Sequence, residues 1–140
     1  MAGMAFSQAG LGLCHAASHV LGGRFHIPHG RLHAILLPAG ISCNAHAAGE
    51  RYAKMAQEAG MVGAAQTLGV RNLKNTLVRL RRELNMPGSL REAGVNLRQL
   101  RSETDSLVEA VLADPCCATN PIRVEPYMVR AVLEEAAGRG

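Results

Sequence analysis

The sequence predicts an all-α fold, and three observations carry that prediction. Apolar residues recur at three- and four-residue steps, most clearly at Val70, Leu73, Leu77, Leu80 and Leu84. No stretch alternates apolar and polar residues as a half-buried strand does. Hydrophobic residues make up 48% of the chain but aromatics only 3%, with no tryptophan. A core without rings must be built from Ala, Leu, Val, Ile and Met, which suits closely packed helices. The 140 residues fit one domain, spanning 1–140 and holding about six helices.

Residues 1–21 read as a first helix with weak points at Gly10 and Gly12, ended by Gly22 and Gly23. Residues 24–30, Arg-Phe-His-Ile-Pro-His-Gly, read as a loop. Residues 31–47 form a second, very apolar helix, which Pro38 is expected to kink or split. Residues 50–59 form a third, stopped by Gly60. The fourth contains the Val70–Leu84 stripe, with Arg71, Lys74, Arg79, Arg81 and Arg82 on its other faces, and Pro87-Gly88 terminates it. Residues 89–94 suggest a short helical turn. A fifth helix over 97–113 turns Leu100, Thr104, Leu107, Val108 and Val111 inward. Residues 114–120 are a loop, and 126–136 a last helix with Pro126 in its first turn. Residues 138–140 read as a frayed end.

Charge and composition limit the function classes. The net charge is +4 and the pI about 9.2. The positive charge is spread over residues 71–101, and two Tyr and two Phe offer few surfaces for stacking bases. Nucleic acid is therefore not an expected partner. Residues 1–23 carry no Lys, Arg, Asp or Glu, nearly a membrane span in length. Ser7, Gln8, His15, Ser18 and His19 interrupt them, so a central globular helix is expected and no membrane. The cysteines, Cys14, Cys43, Cys116 and Cys117, show no C-x-x-C spacing, and no basic segment opens a secretory signal. A reducing cytoplasm is expected. Mean hydropathy of +0.05 leaves open an apolar surface for a partner.

Function concentrates in Gly10-Leu-Gly-Leu-Cys-His15-Ala-Ala-Ser-His19 followed by Pro28-His29-Gly30. On a helix, His15 and His19 lie one turn apart on the same face. A turn after Gly22-Gly23 would bring His29 back to them. Imidazole is a common ligand of iron and zinc. A zinc-protease reading fails, because Ala16-Ala17 stands where His-Glu-x-x-His needs its glutamate. His26, His33 and His46 read as surface or loop residues. Cys14 reads as a buried structural thiol, and Arg79-Leu-Arg-Arg82 as a solvated face rather than a phosphate contact.

The run from Met4 to Gly22, with Ile27-Pro-His29-Gly30 and Ala34-Ile-Leu-Leu-Pro38, resembles the iron-dependent alcohol dehydrogenase family. Its start is most like the alcohol dehydrogenases of ethanolamine and propanediol utilisation. Tyr52-Ala53, Met86-Pro87-Gly-Ser-Leu90, Gly94-Val95, and Asp114 with Asn120-Pro121 extend the likeness over nearly the whole chain. The family has a nucleotide-binding α/β domain followed by a helical, metal-binding domain. This chain is similar to the second only: no βαβ pattern or Gly-rich phosphate loop is seen, and an N-terminally truncated form is expected.

By position the resemblance makes His15 and His29 metal ligands, for Fe2+ or alternatively Zn2+. The family's other two, an aspartate and a histidine, fall upstream of residue 1. It makes His19 the catalytic and cofactor-side residue, beside the nicotinamide and substrate and linked to proton transfer. Without the rest of the metal shell, His19 is also a candidate substitute ligand. Two departures stand out: Arg31-Leu32-His33 follows the Pro-His-Gly where relatives carry smaller or uncharged residues, and Ile122 follows Asn120-Pro121 where Arg is usual.

The function so implied is that of the metal-binding domain of an NAD-dependent, iron-containing alcohol dehydrogenase. It would interconvert short primary alcohols and aldehydes in the cytoplasm, including a bacterial microcompartment, with NAD held mostly by the other domain. The chain alone is expected to be inactive. The alternative is a non-catalytic helical module that associates with the other domain or with further copies of itself.

Overall fold

The computed structural model describes residues 1–9, 11–61 and 66–138, without the side chains of residues 6, 8 and 9. Gly10, expected as a weak point, residues 62–65, and residues 139–140, expected to fray, lie outside the described residues. Among the described residues seven α-helices follow in order: α1 Ala2–Ala9, α2 Leu13–Phe25, α3 His29–Glu58, α4 Gln66–Glu83, α5 Leu97–Ser102, α6 Thr104–Ala113 and α7 Pro126–Ala137. A 3-10 helix, Pro115–Thr119, follows α6. Among the described residues there is no strand.

The all-helical class stands, and several boundaries move. The expected first helix is two, α1 and α2, with α2 starting after Gly12. Gly22 and Gly23 do not end α2. It continues to Phe25 and stops where His26 turns left-handed (φ 55, ψ 39) and returns its N–H to the Gly22 carbonyl at 3.0 Å. Pro28, two residues on, forces Ile27 out of helical space, and its own carbonyl receives the first bonds of α3, from Arg31 and Leu32. The expected loop 24–30 thereby shrinks to residues 26–28.

The second and third expected helices are one 30-residue helix, α3, with Pro38 buried inside it. The expected fifth helix is interrupted at Glu103 into α5 and α6. The loop 114–120 folds into the 3-10 helix, its N-terminus capped by the Asp114 carboxylate, which accepts from the Cys116 N–H at 2.8 Å. The last helix is as expected, with Pro126 in its first turn.

The main core lies between α2, α3, α6 and α7. Leu13, Ala16, Ala17 and Leu21 meet Leu32, Ile35, Leu36 and Ala39, with Leu107, Val108, Val111, Val129, Val132 and Leu133 closing over them. Each such Leu or Val removes enough apolar surface from water to contribute about 1.5–3 kcal/mol. A smaller cluster of Ile41, Ala56 and Leu73 joins α3 to α4. Leu80 and Leu84, expected inward, stand exposed at 49% and 60%: the apolar stripe of α4 outruns its buried contact.

Polar pins fix the helices that carry the histidines. The Asn120 side-chain oxygen accepts from the Leu13 N–H at 3.1 Å, at the start of α2, and from Asn44 of α3 at 3.0 Å. Its amide nitrogen donates back to Asn44 at 2.8 Å and to the Ile122 carbonyl at 2.9 Å. Arg24 forks onto Glu103 through Nε and Nη2, tying the end of α2 to the α5–α6 junction. Among the described residues, no helix is long and apolar enough to cross a membrane.

Candidate metal centre

The three-residue link 26–28 turns α2 and α3 into a helical hairpin, and each arm carries two histidines four residues apart. His15 and His19 lie on α2, His29 and His33 on α3. Antiparallel arms pair them crosswise. The His15 and His33 ring centroids are 4.0 Å apart, and those of His19 and His29 5.8 Å. His29 also lies 4.2 Å from His33 and 5.6 Å from His15. The predicted ligands His15 and His29 are thus brought together, with His19 at their rim.

His33 corrects the sequence reading. It is neither a loop nor a surface residue: it sits half-buried in the first turns of α3. The signal that marks it is the one used for the first pair. With Pro28 outside and His29 the first helical residue, His29 and His33 share a face. Reading 24–30 as a loop hid that spacing. One nitrogen of each of His15, His29 and His33 falls within 4.8 Å of the other two. His26 and His46 are exposed and stand outside this group.

The electrostatics suit a cation. Burial holds the His15 imidazole below its ordinary range, and His29 and His19 push the same way. Burial, then His15, His29 and His19, brings His33 from 6.5 down to about 4. Both rings are therefore neutral at pH 7 and keep a lone pair to donate. The Nε2 of His33 is buried and has no hydrogen-bond partner, while its Nδ1 lies 3.4 Å from Cys14 Sγ. Burial raises the Cys14 thiol to about 12, so it stays protonated, as expected of a structural thiol. A neutral imidazole set with an orphaned buried nitrogen fits a divalent transition metal.

His19 has different surroundings. Its Nδ1 lies 3.0 Å from Asp114 Oδ2, and its side chain remains 44% exposed. Burial pushes the Asp114 carboxyl up, but the Cys116 amide and the His19 ring outweigh it and hold the group below the usual carboxylate range. The ionised carboxylate fixes the ring through Nδ1. Asp114, whose sequence match carried no role, is the residue that orients it. Cys116 completes a second group with this pair, but burial raises its thiol.

Comparison with known proteins places the chain in a family. Residues 1–137 match the family described as Fe-containing alcohol dehydrogenase family, C-terminal. The chain is 35% identical over 134 residues to an NADPH-dependent butanol dehydrogenase of Clostridium saccharobutylicum, covering 96% of this chain and 34% of that one. It is 40% identical over 142 aligned positions to the 1-propanol dehydrogenase PduQ of Salmonella typhimurium, covering 96% and 38%. The crystal structure of a 1,3-propanediol oxidoreductase superposes with a TM-score of 0.88 at 31% identity, over 96% of this chain and 35% of that chain. The chain therefore spans roughly a third of the length of these relatives.

Proposed function

The chain belongs to the Fe-containing alcohol dehydrogenase family, as its C-terminal helical domain, and from that premise we propose that it is the metal-binding part of a nicotinamide-linked dehydrogenase of short primary alcohols and aldehydes. The observation that carries the reading is the apposition of His15 and His29 across the α2–α3 hairpin, with His19 at its open rim. The relatives named for butanol, 1-propanol and 1,3-propanediol support short alcohols as the substrate class. The cofactor is NAD on the sequence reading, and the Clostridium relative, named NADPH-dependent, makes the phosphorylated form a second possibility to assay. The cytoplasm, including a microcompartment, is the proposed setting.

His15 and His29 would hold a divalent iron, or zinc, between α2 and α3. Such an ion, when bound, supplies Lewis-acid polarisation of a carbonyl oxygen. The protein's own part is positional and protonic. The α2–α3 hairpin holds a half-buried His15 beside an exposed His29 at the edge of the Leu- and Ala-rich core. Asp114 holds His19 so that Nε2 can give a proton to an alkoxide oxygen formed by hydride transfer, or take one from an alcohol. The described residues hold no βαβ unit or Gly-rich phosphate loop to bind a dinucleotide, so the chain alone should turn over little or nothing.

Two measurements test the reading. Grafting this chain in place of the corresponding segment of the Salmonella relative should give an active alcohol dehydrogenase, with activity lost on His15→Ala or His29→Ala. An active chimaera indifferent to both substitutions would sink the assignment. Iron-dependent, NADH-linked reduction of propionaldehyde by the pure chain would overturn its inactivity.

A further inference from the structure

We infer that His33 is a third ligand, so that this chain alone holds a three-imidazole site for a borderline-soft divalent cation such as Fe(II), Zn(II) or Co(II). The inference rests on the reading of His15 and His29 as ligands and adds a residue to it. The His33 ring lies closer to both than they lie to each other, 4.0 Å and 4.2 Å between centroids against 5.6 Å. One nitrogen from each ring falls within 4.8 Å of the other two. Small side-chain rotations bring such a set onto one ion.

The two nitrogens of His33 are already assigned different tasks. Its Nδ1 is 3.4 Å from Cys14 Sγ, and its Nε2 is buried with no partner. A buried polar atom without a partner is destabilising and rare in native proteins. A metal ion is a partner that this nitrogen can share with one lone pair from each flanking imidazole. With Nε2 on the ion, Nδ1 must carry the proton, and it then donates to Cys14. Ligating imidazoles commonly use their second nitrogen in this way to fix the tautomer. Cys14 is thus assigned as a positioning residue. His19, the substitute ligand the sequence suggested, is instead turned to Asp114 at 3.0 Å.

All three ligands come from one hairpin, so the site needs nothing from any other domain. The donor set selects against Mg2+ and Ca2+, which require oxygen ligands.

The test uses the full chain, stripped by a chelator and titrated anaerobically with Co(II). Affinity is read by chelator competition and coordination by the visible d–d bands. One Co(II) should bind per chain, with intense tetrahedral-type absorption. His33→Gln should weaken binding by at least about tenfold, as should His15→Ala, since even losing an outer partner costs about 10–100-fold. Cys14→Ala should cost about tenfold, and His19→Ala and His46→Ala nothing. Far-UV circular dichroism checks that each variant folds. A second readout needs no variant: the Co(II) chain should show three exchangeable, paramagnetically shifted imidazole N–H resonances. Two such resonances, or a His33→Gln affinity equal to wild type while His15→Ala loses it, would overturn the role of His33 and leave the family ligands standing. Co(II) binding indifferent to His15, His29 and His33 would overturn both readings. No binding by the wild-type chain would overturn the three-imidazole site.

Discussion

Arg81 Nη1 donates to the Ala34 carbonyl at 3.2 Å, and Ala34 is the residue four before Pro38. In an unbroken helix that carbonyl would accept from the N–H of residue 38, which proline lacks. An arginine from α4 supplies the missing donor. This is how α3 continues through Pro38, where a kink or split was expected, and why Arg81 is not part of a solvated basic face like Arg79 and Arg82.

Arg81→Met should therefore destabilise the chain by about 1–3 kcal/mol, the cost of orphaning a part-buried carbonyl. Arg82→Met, at an exposed position, should change it by less than about 0.5 kcal/mol. Thermal unfolding of both, and of each with Pro38→Ala, checks the account. Restoring the N–H at position 38 should shrink the cost of Arg81→Met; full additivity of the pair would contradict it.

Asn44 and Asn120 exchange side-chain hydrogen bonds in both directions, at 3.0 Å and 2.8 Å. Asn120→Ala removes both Asn44–Asn120 hydrogen bonds and leaves the Leu13 N–H without its acceptor, and should cost about 2–3 kcal/mol. In a domain of this size that lowers Tm by very roughly 5–10 °C. Asn44→Ala combined with Asn120→Ala should cost less than the sum of the two. A melting curve for Asn120→Ala that overlays wild type would show that the pair holds nothing.

Two glycines in helices should respond oppositely to alanine. A Cβ at Gly69 would stand 3.0 Å from both Cα and Cβ of Ala53, where α3 and α4 meet and no flexible side chain can yield. Gly69→Ala should be destabilising by about 1–2 kcal/mol net, since overpacking exceeds the gain in helix propensity. A Cβ at Gly23 meets nothing within 4 Å. Gly23→Ala should stabilise by up to about 1 kcal/mol. Chemical denaturation of the two variants gives the signs directly.

The neutral His33 makes the metal-free chain acid-sensitive. Its pKa falls from 6.5 to about 4 on folding, chiefly through burial. Between these values the unfolded chain binds the proton and the folded chain does not, so stability rises with pH. The contribution is complete above about pH 6.5 and is lost as pH falls toward 4. In the presence of chelator, Tm of the wild type should drop across this window, and His33→Gln should flatten the drop. Equal slopes for the two proteins would remove His33 as its source.

The sequence by itself determined what periodicity and local chemistry control. The Val70–Leu77 stripe fixed α4, Pro126 opened α7, and the absence of alternation excluded strands. The proposed ligands His15 and His29 drew notice because they stand in a run specific enough to resemble one family. Helix ends and partners were not legible, because they depend on groups distant in sequence. Gly22 and Gly23 weaken a helix locally, yet α2 runs through them because Leu21 is buried beside them and the turn is made by His26 and Pro28. Pro38 deletes one bond, and only the packing of α4 shows where its replacement comes from. The place of His33 beside His15 and His29 became visible only when the hairpin set α2 against α3. Spacing along one helix names which residues share a face, but tertiary packing decides which two faces meet.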